Sequence, residues 1–303
     1  MFEKYTDLAI ESHEIAVESG ISDGTEFKER FYKDVLISYS CRATGQKMPQ
    51  SRYFNLDIGR IWQMPASMRR IRAEAIASVI SELLPQNDGC VLIAGIGNRD
   101  ITPDSIGPLV ADKVIVTRHL KLLGSELYNE IGFGEVSTIA PGVLGQTGIE
   151  SGEIIKCIVK RIKPRAVIAI DALASRRLSR LCTNVQITDA GITPGSGVQN
   201  SRSEISQSTE GVPVIAIGMP TVVDAATLAS DLFEQLLSSL GEKCHDCSDL
   251  LGALCSGDGK GLFVSPKESD IIIREASRLI ADGINLALHK SIPYRDINEY
   301  RTQ

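Results

Sequence analysis

Two aspartates follow strands that the sequence predicts to be buried, and together they could carry acid–base chemistry. Asp104 closes a glycine-rich segment that begins within the apolar run Val91–Ile96. Asp171 directly follows the apolar run Ala166–Ile170. A buried carboxylate without a partner is costly, and open α/β sheets hold ligands at the carboxyl ends of their strands. If the two carboxyls meet there, they can share a proton, so that the charged one activates water while the neutral one donates a proton.

The glycine-rich segment Gly95–Asp104 departs from a dinucleotide-binding turn. Such a turn needs a third glycine where Asp100 stands, and a carboxylate there would repel a pyrophosphate. We interpret the glycines as freeing the backbone to turn sharply, so that Asn98, Asp100 and Asp104 project above the sheet edge. Asn98 and the neighbouring Thr102 are candidates for supporting the site.

Further glycine-rich loops follow predicted strands and could line the same crevice. Asp189–Gly197, with Gly195 and Ser196, offers backbone N–H groups that could hold a carbonyl oxygen or an anion. It could equally be a turn that needs positive φ. Pro141–Gly148 has the same two interpretations.

Several residues leave the assignment of the pair open. Asp171 could instead cap a helix, and Asp100, Asp189 and Asp224 remain possible substitutes for either aspartate. Thr221 and Asp224 could face the site or start the next helix.

Metal ligands are sparse in this sequence. His119 is the histidine within the densest part of the pattern. It is a candidate for supporting the site, although a lone histidine is more often structural than catalytic. Cys244 and Cys247 have the spacing of a zinc clip with Cys255 nearby, but no second cysteine pair follows. We therefore expect neither a metal nor another cofactor.

The elements that position these residues form an α/β pattern. Short apolar runs alternate with longer helical stretches, which predicts a mostly parallel central sheet with helices on both faces. The runs Val91–Ile96, Ala166–Ile170 and Pro213–Gly218 are continuous, as in central strands. The half-polar runs Gly134–Ile139 and Val185–Ile187 suit strands nearer an edge.

Helices and a small N-terminal β extension complete the predicted single domain of residues 1–303, whose core spans about 85–240. The extension, residues 20–60, includes a hairpin of Asp34–Ser38 and Tyr53–Asp57. Gly241–Gly261 is rich in glycine and cysteine and predicts a surface loop. The predicted helices are Met64–Leu84, Ile106–Leu123, Gly148–Lys163, one from Asp224 to about Leu240, and Lys267–His289 with Ser265 as N-cap and Pro266 at its start.

Composition excludes several classes of function. The 303 residues are 43% apolar with a formal charge of -6, and their basic residues form no stripe, so we expect no nucleic-acid partner. The first twenty residues lack the pattern of a signal peptide, and no apolar run has the length of a membrane span. An odd number of irregularly spaced cysteines is typical of reduced thiols. We therefore expect a cytoplasmic protein.

Many short strings resemble one known family, the germination proteases of endospore-forming bacteria. The resemblance covers most of the chain. It rests on Thr6–Ala9, Gly95–Asn98, Thr102–Asp104, Val116–Leu120, Pro141–Val143, Thr147–Glu150, Ile170–Ala174, Pro194–Val198, Gly211–Gly218, Pro220–Ala225, Val264–Lys267 and Gly283–His289.

The resemblance implies an endopeptidase that cleaves small acid-soluble spore proteins during germination in the spore core. It implies an atypical aspartic mechanism with Asp104 and Asp171 as the catalytic acids. It also implies an α/β fold shared in outline with hydrogenase maturation proteases and phosphorylase-like proteins, a homotetramer, and a zymogen that cleaves itself beside Asp7 in the segment Thr6–Leu8.

Two other functions stay open at this point. A metal-dependent peptidase of the maturation type would use Asp104, Asp171 and His119 as ligands. A non-catalytic protein would use the glycine loops to bind a small anion.

Overall fold

The computed structural model describes residues 5–20, 25–41, 51–195, 203–239 and 261–301. Most of the predicted loop Gly241–Gly261, with its cysteines, lies outside the described residues, and so does the candidate site residue Ser196.

A single nine-stranded sheet runs through the described residues, in the order β1-β2-β3-β7-β8-β6-β4-β5, with β9 paired to β8. The strands β5, β4, β6 and β8 are parallel neighbours, whereas β1, β2, β3 and β7 continue the sheet antiparallel from β8. The strands are β1 Phe27–Tyr32, β2 Val35–Cys41, β3 Arg52–Asp57, β4 Val91–Ile96, β5 Val136–Gly142, β6 Ala166–Ser175, β7 Asn184–Thr188, β8 Val214–Asp224 and β9 Phe263–Val264.

Helices cover both faces of this sheet, which confirms the predicted α/β class. The helices are α1 Ala9–Glu18, α2 Ala66–Leu83, α3 Ile106–Ala111, α4 Arg118–Leu122, α5 Glu126–Ile131, α6 Leu144–Thr147, α7 Ser151–Ile162, α8 Gln207–Glu210, α9 Ala225–Ser239, α10 Ser269–Leu288 and α11 Ile297–Tyr300. Alternate side chains of a strand point to opposite faces, so Ile93 packs in the core with α2 and α10, while Leu92 and Ala94 pack with α7. The central strands are therefore apolar on both faces.

The position of β7 corrects the expectation of an edge strand. All five residues of β7 are buried between β3 and β8, whereas β5 does lie at the sheet edge. One polar residue of β7, Gln186, binds the N-terminal segment. The side-chain oxygen of Gln186 accepts the N–H of Ala9, and its amide nitrogen donates to the carbonyl of Asp7.

The N-terminal β extension is larger than the predicted hairpin. The strands β2 and β3 include the two predicted strand segments, but β1 adds a third strand and β3 joins the main sheet through β7. Strand β1 lies at an outer edge, where the charged Arg30 is partly buried and the apolar Phe31 is exposed. Its apolar pattern is therefore weak.

The predicted helix Ile106–Leu123 is interrupted, and that prediction was wrong. Helix α3 ends at Ala111 and α4 begins only at Arg118. Between them, Ile115 donates its N–H to the side chain of Asn285, and Thr117 exchanges hydrogen bonds with Val136. These long-range bonds use the backbone groups that a continuous helix would need.

The start of α10 also differs from the prediction. The helix begins at Ser269, and Glu268 rather than Ser265 occupies its N-cap position. The hydroxyl of Ser269, the first residue of the helix, donates to the carbonyl of Pro266. The turn before the helix is therefore held by a helical residue and not by an N-cap side chain.

Helix α3 lies against the backbone of two strands at Gly107. A Cβ added there would lie 2.2 Å from the carbonyl oxygen of Ile96 and 2.5 Å from that of Ile170. Only a residue without a side chain permits this contact, which brings the turn before α3 over the ends of β4 and β6.

Replacing Gly107 by alanine is expected to lower the free energy of unfolding by about 3 kcal/mol, because the new methyl group must push the backbones apart. Gly145→Ala is the matched control, since a Cβ at Gly145 meets nothing within 4 Å. Urea unfolding of both variants measures the difference. Equal stability of the two variants would contradict the tight contact.

Candidate active site

A cavity of about 380 Å³ opens at the carboxyl ends of the parallel strands, and it contains both predicted aspartates. Asn98 and Gly195 line it as well. The remaining lining residues are Ile96, Gly97, Ile101, Pro103, Val143, Ala172, Leu173, Thr221, Val222, Phe263 and Ser265. The structure therefore brings the turn after β4, the end of β6 and the loop after β7 into one site.

Asp104 is held by the glycine turn that follows β4. Gly97 has a φ of 121°, and a Cβ there would lie 2.0 Å from the carbonyl oxygen of Asp104. The N–H of Asn98 donates to the Asp104 carboxylate at 2.7 Å. The 3-10 turn Thr102–Asp104 then leads directly into α3. The half-buried carboxylate is thus fixed against the strand that precedes it.

Asp171 lies within β6 and is only 4% exposed. Its carboxylate accepts the N–H of Ala172 at 2.9 Å and a backbone hydrogen bond from Gly195. Burial is the largest influence on its acidity, and the negative charges of Asp104 and then Asp7 act in the same direction. Together they raise the pKa of Asp171 to about 8, so the group is mostly protonated at neutral pH.

The N-terminal segment supplies the third carboxylate of this region. The carboxylate of Asp7 accepts the N–H of Ala174 at 2.7 Å and the hydroxyl of Tyr5 at 2.7 Å, and the N–H of Asp7 donates to the Ala174 carbonyl. Leu8 is completely buried. The predicted self-cleavage segment is therefore bound to the end of β6 on both sides of Asp7.

Glu11 anchors this segment to the loop after β6. Its buried carboxylate accepts the hydroxyl of Thr6 at 2.6 Å and the N–H groups of Arg176 and Arg177 at 2.6 and 3.1 Å. The guanidinium of Arg180 adds an ion pair at 3.3 Å. A buried carboxylate with this many donors is well compensated, and it fixes α1 and the residues before it.

Three aspartates that could have substituted for the pair have other partners. Asp189 forms an ion pair with Arg52 at 2.8 Å. Asp224 accepts the N–H and hydroxyl of Thr227 and so caps the start of α9. Asp100 is exposed and accepts from the side-chain amide of Gln146.

The other candidates lie at different distances from the cavity. Thr102 is exposed on the turn that carries Asp104, and its carbonyl accepts from Ser105. His119 is exposed on α4 and lines a separate cavity of about 470 Å³ together with Phe133 and Arg301. The structure does not bring His119 together with Asp104 and Asp171.

Sequence reasoning missed two contributors to the cavity, Phe263 and Ser265. They come from β9 and the residue after it, about forty positions beyond the end of β8 in the chain. A strand of two residues has no periodicity that a pattern could detect. No sequence pattern indicated that Asp7 would lie near Asp171.

Within the described ranges, no group of three or more histidine, cysteine, aspartate or glutamate side chains could hold a metal ion. None of the helices in these ranges is long and apolar enough to cross a membrane.

The fold and site define a protein suited to acid–base chemistry on a ligand bound at the end of a parallel sheet. The family model described as germination protease matches residues 7–257. Germination proteases of Clostridium perfringens and Caldanaerobacter subterraneus subsp. tengcongensis are 38% and 39% identical, over 99% and 97% of both chains. That of Halalkalibacterium halodurans is 34% identical over 97% of this chain and 96% of its own.

The chain therefore belongs to the germination protease family, which confirms the resemblance seen in its sequence. Membership places it among the hydrolases that cut peptide bonds in proteins, and the family name associates it with spore germination.

The raised pKa of Asp171 predicts a specific dependence of stability on pH. The unfolded carboxyl loses its proton near the ordinary aspartate pKa of 3.8, whereas the folded one keeps it up to a pKa of about 8, so stability falls as pH rises between these values. Asp171→Asn removes this loss. We expect the variant and the parent to differ least near pH 4, and the variant to gain on the order of 5 kcal/mol by pH 8.

Denaturant unfolding across this pH range measures the effect. Asp100→Asn is the control, because it makes the same substitution at an exposed position outside the cavity. A pH-independent difference for Asp171→Asn would contradict the buried, protonated carboxyl.

Proposed function

We propose that this chain is an endopeptidase that hydrolyses peptide bonds with the carboxyl pair Asp104 and Asp171 and a water molecule. The observation that carries the proposal is that both side chains line one cavity while burial keeps Asp171 protonated. With Asp104 as the charged base and Asp171 as the protonated acid, the pair has the two groups that peptide hydrolysis requires.

In this mechanism Asp104 removes a proton from water as the water oxygen attacks the carbonyl carbon. Asp171 simultaneously gives its proton to the carbonyl oxygen. The tetrahedral intermediate then collapses, the C–N bond breaks, and the proton held by Asp104 passes to the departing amine. Asp171 recovers a proton from a hydroxyl of the intermediate, so both carboxyls return to their starting states.

The cavity walls support a peptide as the substrate. Ile101, Val143, Leu173 and Phe263 give apolar surface around the two carboxyls, and Ile101 is 52% exposed. Such surface can bind the side chains of an extended segment while the acids face its backbone. We propose small acid-soluble spore proteins as the substrates, on the strength of the family resemblance.

The same resemblance supports proposals about assembly and control. We propose a single domain that forms a homotetramer in the spore core, made as a zymogen that cuts itself beside Asp7. Because both the N–H and the carbonyl of Asp7 are hydrogen-bonded here, self-cleavage would require this segment to leave the end of β6 first.

Asp104→Asn and Asp171→Asn should each lower kcat/KM for a small acid-soluble spore protein at least about 100-fold, because proton transfer contributes this much or more. Asp100→Asn should stay within a few-fold of the parent, since Asp100 is exposed and outside the cavity. Circular dichroism and thermal melting establish that all three variants are folded. Substantial activity in both pair variants would overturn the mechanism.

The pH profile of kcat/KM provides an independent measurement. Activity should decline tenfold per pH unit above about pH 8, where Asp171 loses its proton. A profile that stays flat to pH 10 would exclude Asp171 as the acid.

The two other functions predict different behaviour. A metal-dependent peptidase would lose activity on dialysis against a chelator and regain it with added metal, whereas the carboxyl pair should be indifferent. An anion-binding protein without catalysis would bind inorganic phosphate in calorimetry and cleave no substrate.

A further inference from the structure

The strand β8 contains a bulge beside the candidate active site. Leu173 of β6 pairs with Pro220 of β8, and the next residue, Ala174, pairs with Val222. Thr221 is therefore an extra residue without a partner in the register. Bulges of this kind bend the strand and redirect a side chain, and they are frequent beside active sites.

The hydroxyl of the Thr221 side chain has no hydrogen-bond partner among the described residues. The residue is 2% exposed and lines the cavity with Asp104 and Asp171. Its Oγ1 forms no hydrogen bond within the part of the chain that the structure describes. Leaving a buried hydroxyl without a hydrogen bond is destabilising. The fold therefore retains a polar group here that does not stabilise it.

Buried threonines elsewhere in the structure behave differently. The hydroxyl of Thr117 donates to the carbonyl of Gly134, and that of Thr227 donates to the carboxylate of Asp224. Both threonines are completely buried. Among the described residues, the buried hydroxyls of Ser40 and Ser175 also have no partner, but neither residue lines the cavity.

Three backbone donors around the cavity are already engaged with the enzyme's own carboxyls. The N–H groups of Ala172 and Gly195 donate to Asp171, and the N–H of Asn98 donates to Asp104. Within the described residues, the Thr221 hydroxyl is a cavity donor that no enzyme group uses. A peptide carbonyl oxygen, which gains negative charge during hydrolysis, is the acceptor that a bound substrate would bring.

We propose that Thr221 is a further catalytic residue, whose hydroxyl donates a hydrogen bond to the carbonyl oxygen of the peptide bond being cleaved. This inference rests on the proposed peptidase function. The hydroxyl would act together with Asp171, which gives its proton to the same oxygen, and its hydrogen bond would strengthen as charge develops there. Binding of substrate would also satisfy the buried hydroxyl.

Thr221→Val tests the proposal, because valine has the shape of threonine without its hydroxyl. We expect kcat to fall about 10- to 100-fold with a smaller change in KM, since the bond strengthens in the transition state. The melting temperature should be unchanged or higher, because an unpaired buried hydroxyl has been removed. Thr221→Ser keeps the hydroxyl and should retain at least about a third of the activity.

Thr138→Val is the matched control, since Thr138 is half-buried on β5 and lines the other cavity. If Thr221→Val keeps kcat within twofold, or if activity and melting temperature fall together in both Thr221 variants, the proposal is overturned. Asp171→Asn in the same assay separates the two hypotheses. An inactive Asp171→Asn beside an active Thr221→Val removes only the role of Thr221, whereas an active Asp171→Asn removes the carboxyl pair itself.

Discussion

The direct contact between backbones at Gly107 is the constraint on which the site depends. The start of α3 lies against the carbonyls of Ile96 and Ile170, closer than any side chain would allow. The turn that carries Asp104 therefore sits over the end of β6, where Asp171 is buried. A small displacement of α3 would separate the two carboxyls and open the cavity to water.

Burial of the Asp171 carboxyl destabilises its charged form. Losing contact with water and facing the charges of Asp104 and Asp7 both favour the protonated form. Because the folded Asp171 keeps its proton, no charge is buried. The protein instead loses stability as the pH rises above the usual pKa of an aspartate. In the proposed mechanism the same protonated state supplies the acid, so an unfavourable feature of the fold would be useful for hydrolysis.

The parallel and antiparallel halves of the sheet position different parts of the site. The parallel half supplies the crevice at the ends of β4, β6 and β8. The antiparallel half brings β7 into the middle of the sheet, where Gln186 binds the backbone around Asp7. Glu11 holds the same segment from the other side. The N-terminal residues are thus part of the electrostatic environment of Asp171.

The sequence by itself determined the central strands, the helices on both faces and the family, because continuous apolar runs and local motifs record burial and turns directly. It also singled out two aspartates that line one cavity in the structure. It did not determine the break at Thr117, the interior position of β7 or the partners of Asp189 and Asp224. Each of these depends on contacts between distant residues, such as Ile115 with Asn285, or Gln186 with Asp7. Only the tertiary structure decides them, since no local pattern encodes which distant group will satisfy a backbone N–H or a carboxylate.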